Sequence, residues 1–332
     1  MPEAKMKRRE FITLCGGAVA WPVSARAQQA LMPVIGFLNA ASAETYAPQV
    51  EAFLDGLREA GYVDGRNVTI EYRWAQDQND HLPSLAADLV GRQVTVIAAT
   101  STPAALAAKS ATQTIPIVFE SAADPVQLGL VESLSRPGGN VTGVTQLNVE
   151  VAPKRLEILH ELIPAASVMA FLVDPSEPAV AESTANQMKA AAATLGLKLH
   201  VLDASSESDF DAVFARVSQL RASALVISAG TAIFASRSGR LGALATEHGV
   251  PAVGANHGFV RGGGLMSYGA DIIEAYRLTG GYVGRVLKGE KTADLPVQQA
   301  TKIELMINLK AAKALGITVP LTLLGRAEKV IE

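Results

Sequence analysis

The 332-residue sequence predicts an α/β fold of two Rossmann-like lobes, each built on a doubly wound parallel sheet. Three observations carry that prediction. Short apolar, β-branched runs alternate with longer stretches of helical periodicity through most of the chain. The alternation pauses near Gly143–Val151 and restarts at Val168, giving two β/α sets of similar size. No low-complexity linker separates the sets, so short crossings should hinge the lobes.

Taken in order, Pro33–Leu38 is the first strand, and Ala47–Gly61 a helix with Val50, Phe53, Leu54 and Leu57 on one face. Gly61 is placed to end it. Asn67–Arg73 alternates as a half-buried strand, Leu82–Arg92 is helical and Val94–Ala99 is a buried strand. Thr102 caps a helix over Pro103–Ala111, whose first turn accommodates the proline, and Ile115–Phe119 is the next strand. The second set reads as a strand at Val168–Val173, an Ala-rich helix at Ala179–Leu195 stopped by Gly196, and a strand at Leu197–Leu202. It continues with a helix at Phe210–Leu220, a strand at Ala224–Ile227, a helix at Gly239–His248 and a short strand at Pro251–Val253. A long helix, Ile272–Leu287, follows a strand at Met266–Gly269 and should pack back on the first lobe. Residues 28–148 with about 270–296 therefore form the first lobe, and 149–269 with about 297–332 the second.

The first 27 residues read as an export signal instead of part of the fold. Lys5, Lys7, Arg8 and Arg9 are followed by the apolar run Phe11–Val23, too short to span a bilayer, and then by Ala25-Arg26-Ala27. Cleavage after Ala27 would place the protein in the periplasm. Arg8-Arg9-Glu10-Phe11-Ile12 is similar to a twin-arginine signal, with a Sec-type signal the alternative. A buried N-terminal helix of a cytosolic protein is the competing reading, but it does not require charge, apolar run and Ala-x-Ala in that order. Cys15, the single cysteine, follows Leu14 instead of a small residue, which disfavours a lipid anchor. The leader holds five basic and two acidic side chains, so a net charge of −3 for the whole chain becomes −6 over the remaining 305 residues. A mildly acidic chain without basic runs is a poor partner for nucleic acid or anionic membrane, and no apolar run of about 20 residues follows the leader.

In such sheets ligands bind beyond the carboxyl ends of the strands, where helix N-termini present free N–H groups. The loops at those ends are small and polar. The first set offers Asn39 and Ser42, Ser101 and Thr102, then Glu120-Ser121 and Asp124-Pro125. The second offers Asp174-Pro175-Ser176, Ser228-Ala229-Gly230-Thr231 and Asn256-His257, with Tyr268 nearby. The candidate ligand-binding residues are accordingly Asn39, Ser42, Ser101, Thr102, Ser121, Asp124, Asp174, Thr231, Asn256 and Tyr268. A ligand carboxylate would seek the Ser101-Thr102 turn and an ammonium Asp124 or Asp174, with Asn256 and Tyr268 closing the second wall. Each of these short polar residues is equally at home capping its own helix or turn.

Catalytic and metal signatures are missing. There is no Gly-x-Ser-x-Gly elbow, no phosphate-binding Gly-x4-Gly-Lys-Ser/Thr and no His-Glu-x-x-His. The histidines His81, His160, His200, His248 and His257 lie in unrelated elements, with only His257 on a rim loop. Gly262-Gly263-Gly264 precedes a strand and reads as a tight turn. No cofactor is expected.

Several motifs together resemble a known family. They are Ile115-Pro116-Ile117-Val118-Phe119, Asp124-Pro125-Val126, Gly129-Leu130-Val131 and Pro137-Gly138-Gly139-Asn140-Val141-Thr142-Gly143-Val144. Gly65-Arg66-Asn67-Val68, Thr102-Pro103-Ala104-Ala105 and Asn308-Leu309-Lys310-Ala311-Ala312 extend the match along the chain. The chain is similar to the substrate-binding proteins of ABC transporters, in the branch that includes tryptophan- and tyrosine-binding members. That resemblance implies a type I periplasmic-binding fold, a clamshell of two lobes with three crossings and a small-molecule ligand between them. It also implies a monomer that meets a membrane permease and, through it, a cytoplasmic ATPase. The ligand would be a small polar metabolite, with amino acids or aromatic acids suggested by analogy; Trp74 ends an edge strand, which gives it no clear stacking role. The competing functions are an enzyme using Asp124, Glu120 and His257, a DNA-binding regulator, and a periplasmic ligand sensor that feeds a receptor without transport. The regulator would need an N-terminal DNA-binding helix pair where this chain has a leader.

Overall fold

A computed structural model describes residues 32–300 and 302–332. The first half runs β1 (Val34–Asn39), α1 (Ala47–Glu59), β2 (Thr69–Trp74), α2 (Leu82–Gly91), β3 (Val96–Ala99), α3 (Thr102–Ala111), β4 (Ile117–Ser121) and β5 (Val141–Thr145). The chain then crosses to α4 (Ala152–Leu162), β6 (Val168–Val173), α5 (Pro178–Thr194), β7 (Lys198–Asp203), α6 (Phe210–Gln219) and β8 (Leu225–Ile227). There follow α7 (Ala232–Ser236), α8 (Ser238–Glu247), β9 (Ala252–Gly254), α9 (His257–Arg261), β10 (Met266–Ala270) and α10 (Ile272–Leu287). The last elements are β11 (Gln298–Gln299), β12 (Ile303–Asn308), α11 (Leu309–Ala314), α12 (Leu321–Leu324) and β13 (Lys329–Ile331).

These strands form two sheets, ordered β11-β5-β4-β3-β1-β2 and β13-β12-β10-β9-β8-β6-β7. The α/β class and the doubly wound pattern are as expected from the alternating runs. Strand β6 shows why the sheets are covered on both faces: Met169, Phe171 and Val173 enter one core, while Ala170 and Leu172 enter another.

The second sheet departs from all-parallel order, because β10 and β12 are antiparallel. The chain leaves this lobe at the cleft end of β10, builds α10 and β11 on the first lobe, and returns from the cleft side. Strand β12 must therefore run away from the cleft. Strand β11 also pairs with β5, which ties Gln298 and Gln299 to the first sheet, while Ile303 pairs with Ala270 in the second.

Helix α10 belongs to the first lobe, as its Tyr276, Tyr282 and Val283 join that core. It lies directly on α1, and the approach depends on two glycines. A Cβ on Gly56 would overlap the carbonyl of Arg277, and one on Gly280 the carbonyl of Phe53.

Two crossings are tied together by Arg155 of α4, which is fully buried. Its Nε donates to the Tyr268 carbonyl at 2.7 Å and its Nη2 to the Asn148 carbonyl at 2.6 Å. No helix among the described residues is long and apolar enough to cross a membrane.

Candidate ligand-binding cleft

The carboxyl ends of β3, β4 and β5 face those of β8 and β9 across a cleft. The first lobe contributes Tyr46, Thr100, Ser101, Thr102, Glu120 and Ala122, and the first crossing adds Gln146 and Asn148. The second lobe contributes Ser228 to Thr231, Phe234, Ser238 and Ala255 to Asn256.

Helix starts shape both walls. Ser101 takes an extended backbone at the N-cap of α3, and its Oγ accepts the Ala104 N–H at 3.4 Å. On the opposite side Asn256 caps α9, with its Oδ1 accepting the Phe259 N–H at 3.3 Å. Thr102 Oγ1 and Ser121 Oγ share a hydrogen bond of 3.1 Å. The hydroxyl of Thr231, buried at the cleft wall, has no hydrogen-bond partner among the described residues. It is a polar group left for an occupant to satisfy.

Four of the ten residues expected at the site line this cleft: Ser101, Thr102, Thr231 and Asn256. The structure places the other six elsewhere. Asn39 stands behind the wall, where its Nδ2 donates to Thr100 O at 2.6 Å and to the Tyr276 hydroxyl at 2.9 Å. Ser42 bonds Thr45 in the turn before α1. Ser121 is fully buried beneath Thr102 and also accepts the Ala123 N–H. Asp124 Oδ1 accepts the Val126 N–H at 2.8 Å and faces a separate hollow beside Glu150 and α5. Asp174 turns onto the Ser176 N–H at 2.9 Å. Tyr268 packs on the second lobe's core. For Ser42, Ser121, Asp124 and Asp174 the cause is local: a short polar side chain bonds a group two or three residues on before it reaches across a cleft.

Sequence places Glu120 on the rim and in the rival enzyme reading, not among the ligand-binding residues, and does not single out Gln146, Asn148 or Tyr46. Glu120 is the one carboxylate of the cleft, and no lysine, arginine or histidine accompanies it there among the described residues. Burial pushes its carboxyl up to about 7, opposed by a hydrogen bond from Gln146 Nε2 at 2.5 Å. Tyr46, buried at the same wall, is raised far above the usual phenol range, first by burial and then by the Glu120 and Asp77 charges. His257 lies off the cleft and meets Glu304 at 3.0 Å. Trp74 packs on Phe37 and Tyr72, also away from the cleft. Among the described residues no group of three His, Cys, Asp or Glu side chains could hold a metal ion.

The two lobes meet across the mouth. Arg237 Nη2 approaches Asp77 Oδ2 at 3.4 Å, and Ser236 Oγ donates to Asp77 Oδ1 at 3.3 Å. Ala232 of α7 is buried against the core of the first lobe.

The family model for ABC transporter substrate binding proteins matches residues 34–331. The chain belongs to that family. This substrate-binding protein is 30% identical over 289 residues to a tyrosine-binding protein of Clostridioides difficile (strain R20291), covering 80% of the present chain and 76% of the relative. Among solved structures it resembles a Streptococcus pneumoniae ABC domain in complex with L-Trp, at 29% identity and a TM-score of 0.80, over 90% of this chain and 99% of that one. A ligand-free, open substrate-binding protein of Clostridium difficile gives 26% identity and a TM-score of 0.64 over the same shares. These relatives are substrate-binding proteins, not enzymes, and their family works with a permease.

Proposed function

We propose that this substrate-binding protein is the periplasmic capture component of an ABC importer. It closes two lobes over a small polar metabolite of the amino-acid class and delivers it to a permease driven by a cytoplasmic ATPase. The observation that carries the reading is the cleft itself. Two facing sets of strand ends present hydroxyls, amides and one carboxylate to a shared cleft, with the Thr231 hydroxyl unpartnered among the described residues in its wall. The better match to the L-Trp complex than to the open, ligand-free relative accords with the contact of the lobes at Asp77 and Arg237. An aromatic side chain on the ligand would find Tyr46 and Phe234 in the lining. A ligand carboxylate fits the Ser101-Thr102 turn, where the Thr102 N–H and the dipole of α3 favour an anion.

Export follows from the leader read above, whose residues lie outside those the structure describes. A thermal-shift screen of small metabolites on the exported protein tests capture. A ligand present at 100 times its Kd adds about 2.7 kcal/mol to stability. A protein that no metabolite stabilises would not be a capture component.

A further inference from the structure

The hydrogen bonds around Glu120 form a chain with only one consistent direction. Asn148 Oδ1 lies 2.8 Å from the Ala270 N–H, and a backbone N–H is always a donor, so the facing atom is oxygen. The Asn148 amide nitrogen then points at Gln146 Oε1, 2.6 Å away. The Gln146 amide nitrogen in turn points at Glu120 Oε1, 2.5 Å away. Every donor in the chain is thereby aimed at the carboxylate, and one carboxylate oxygen is held while the other receives no hydrogen bond among the described residues.

We infer that Glu120 is the cation-binding subsite of the cleft, held in place from the hinge through Gln146 and Asn148, and that the ligand it selects carries a protonated amine. The inference rests on the capture function proposed above and names the charge of what is captured. Glu120 is 4% exposed, and a buried carboxylate without a counter-charge is costly. No basic side chain lines the cleft among the described residues, so positive charge must arrive with the ligand. A ligand bearing only a carboxylate would bring like charge instead. Asp124 and Asp174, the carboxylates the loops first suggest, are each engaged by backbone N–H groups outside this cleft.

The chain also ends where the lobes pivot. Asn148 lies on the first crossing, its side chain holds Ala270 at the second, and its carbonyl accepts from Arg155. Asn148 is thus a positioning residue acting through Gln146, and seating an ammonium on Glu120 engages the same bonds that bridge the crossings. The titratable groups facing Glu120 are Tyr46, ahead of α1, and Tyr276 of α10; burial raises both hydroxyls far above the usual range, so both stay neutral. Glu120 with its carboxyl near 7 must lose a proton to pair with an amine. Affinity for an amine ligand should then fall about tenfold from pH 8 to pH 6.

The test is calorimetry with matched pairs: each of L-tyrosine, L-tryptophan, L-phenylalanine, L-leucine and L-glutamine against its deaminated acid, plus putrescine and spermidine. The expected result is that only amine-bearing probes bind, with the deaminated partner at least tenfold weaker. Glu120→Gln, confirmed folded by circular dichroism, should lose at least tenfold in affinity and the pH dependence with it. Asn148→Ala, which cuts the chain two steps back, should narrow the ratio between amine and deaminated probes. A deaminated acid binding as tightly as its parent overturns the inference, as does unchanged affinity in Glu120→Gln. Binding of a sugar or nucleoside in the metabolite screen, with no amine probe bound, overturns it and leaves capture standing. Silence from the screen and all probes overturns both.

Discussion

Glu120 should make the empty protein less stable than it need be, and Glu120→Gln measures by how much. The carboxyl is raised from an ordinary value of 4.5 to about 7 by burial, which disfavours its charged form in the folded state. Between those two values the folded chain holds a proton that the unfolded chain has released, so stability falls as pH rises from about 4.5 to about 7 and is level above. A shift of that size corresponds to about 3 kcal/mol lost at pH 8, and to less than about 1 kcal/mol at pH 5. Glutamine keeps the shape and still accepts from Gln146 Nε2, but carries no charge. In urea unfolding without ligand, the variant should therefore exceed the parent by about 3 kcal/mol at pH 8, with most of the gain gone at pH 5. Any fixed cost of the new amide cancels in that comparison. A difference between the two proteins that does not change from pH 5 to pH 8 would show that Glu120 is not a buried charge, and would refute the reasoning. A gain in stability coupled to a loss of binding is what a site strained for function produces.

Three further outcomes are expected. Gly280→Ala should lose about 1–3 kcal/mol or more, because its Cβ would overlap the Phe53 carbonyl, whereas Gly281→Ala, with open space around it, should be neutral or gain about 0.5–1 kcal/mol; paired unfolding curves check both. Asp77→Asn removes the charge that Arg237 meets across the cleft mouth while suiting the positive φ of 61° at that position, so ligand release should quicken about fivefold, for about 1 kcal/mol, without loss of any wall contact; stopped-flow dissociation reads it. N-terminal sequencing of exported protein should begin at Gln28, and Arg8→Lys with Arg9→Lys should stop a twin-arginine export; retention of residues 1–27 sinks the leader reading.

Local pattern was enough for the architecture. The β/α rhythm, the break near Gly143–Val151 and the return of α10 are properties of short segments, where periodicity, caps and glycines act within a few residues. The sequence also located the rims of the cleft, since strand ends and helix starts are local events, and Ser101, Thr102, Thr231 and Asn256 line it. Which rim residues turn inward was not a local matter. Asp124 and Asp174 have strong claims in sequence, yet neither lines the cleft, and each turns its Oδ1 onto a backbone N–H two residues on. Glu120 looked ordinary because its importance comes from what surrounds it: burial, the absence of any basic neighbour in the lining, and Gln146 and Asn148 arriving from a crossing that reads as plain connection. The antiparallel entry of β12 likewise depends on where the chain has been since β10, more than thirty residues of path that no window registers. Backbone preference is written in neighbouring residues, whereas charge, desolvation and the partner across a hinge are set by residues far apart in the chain, and only folding brings those together.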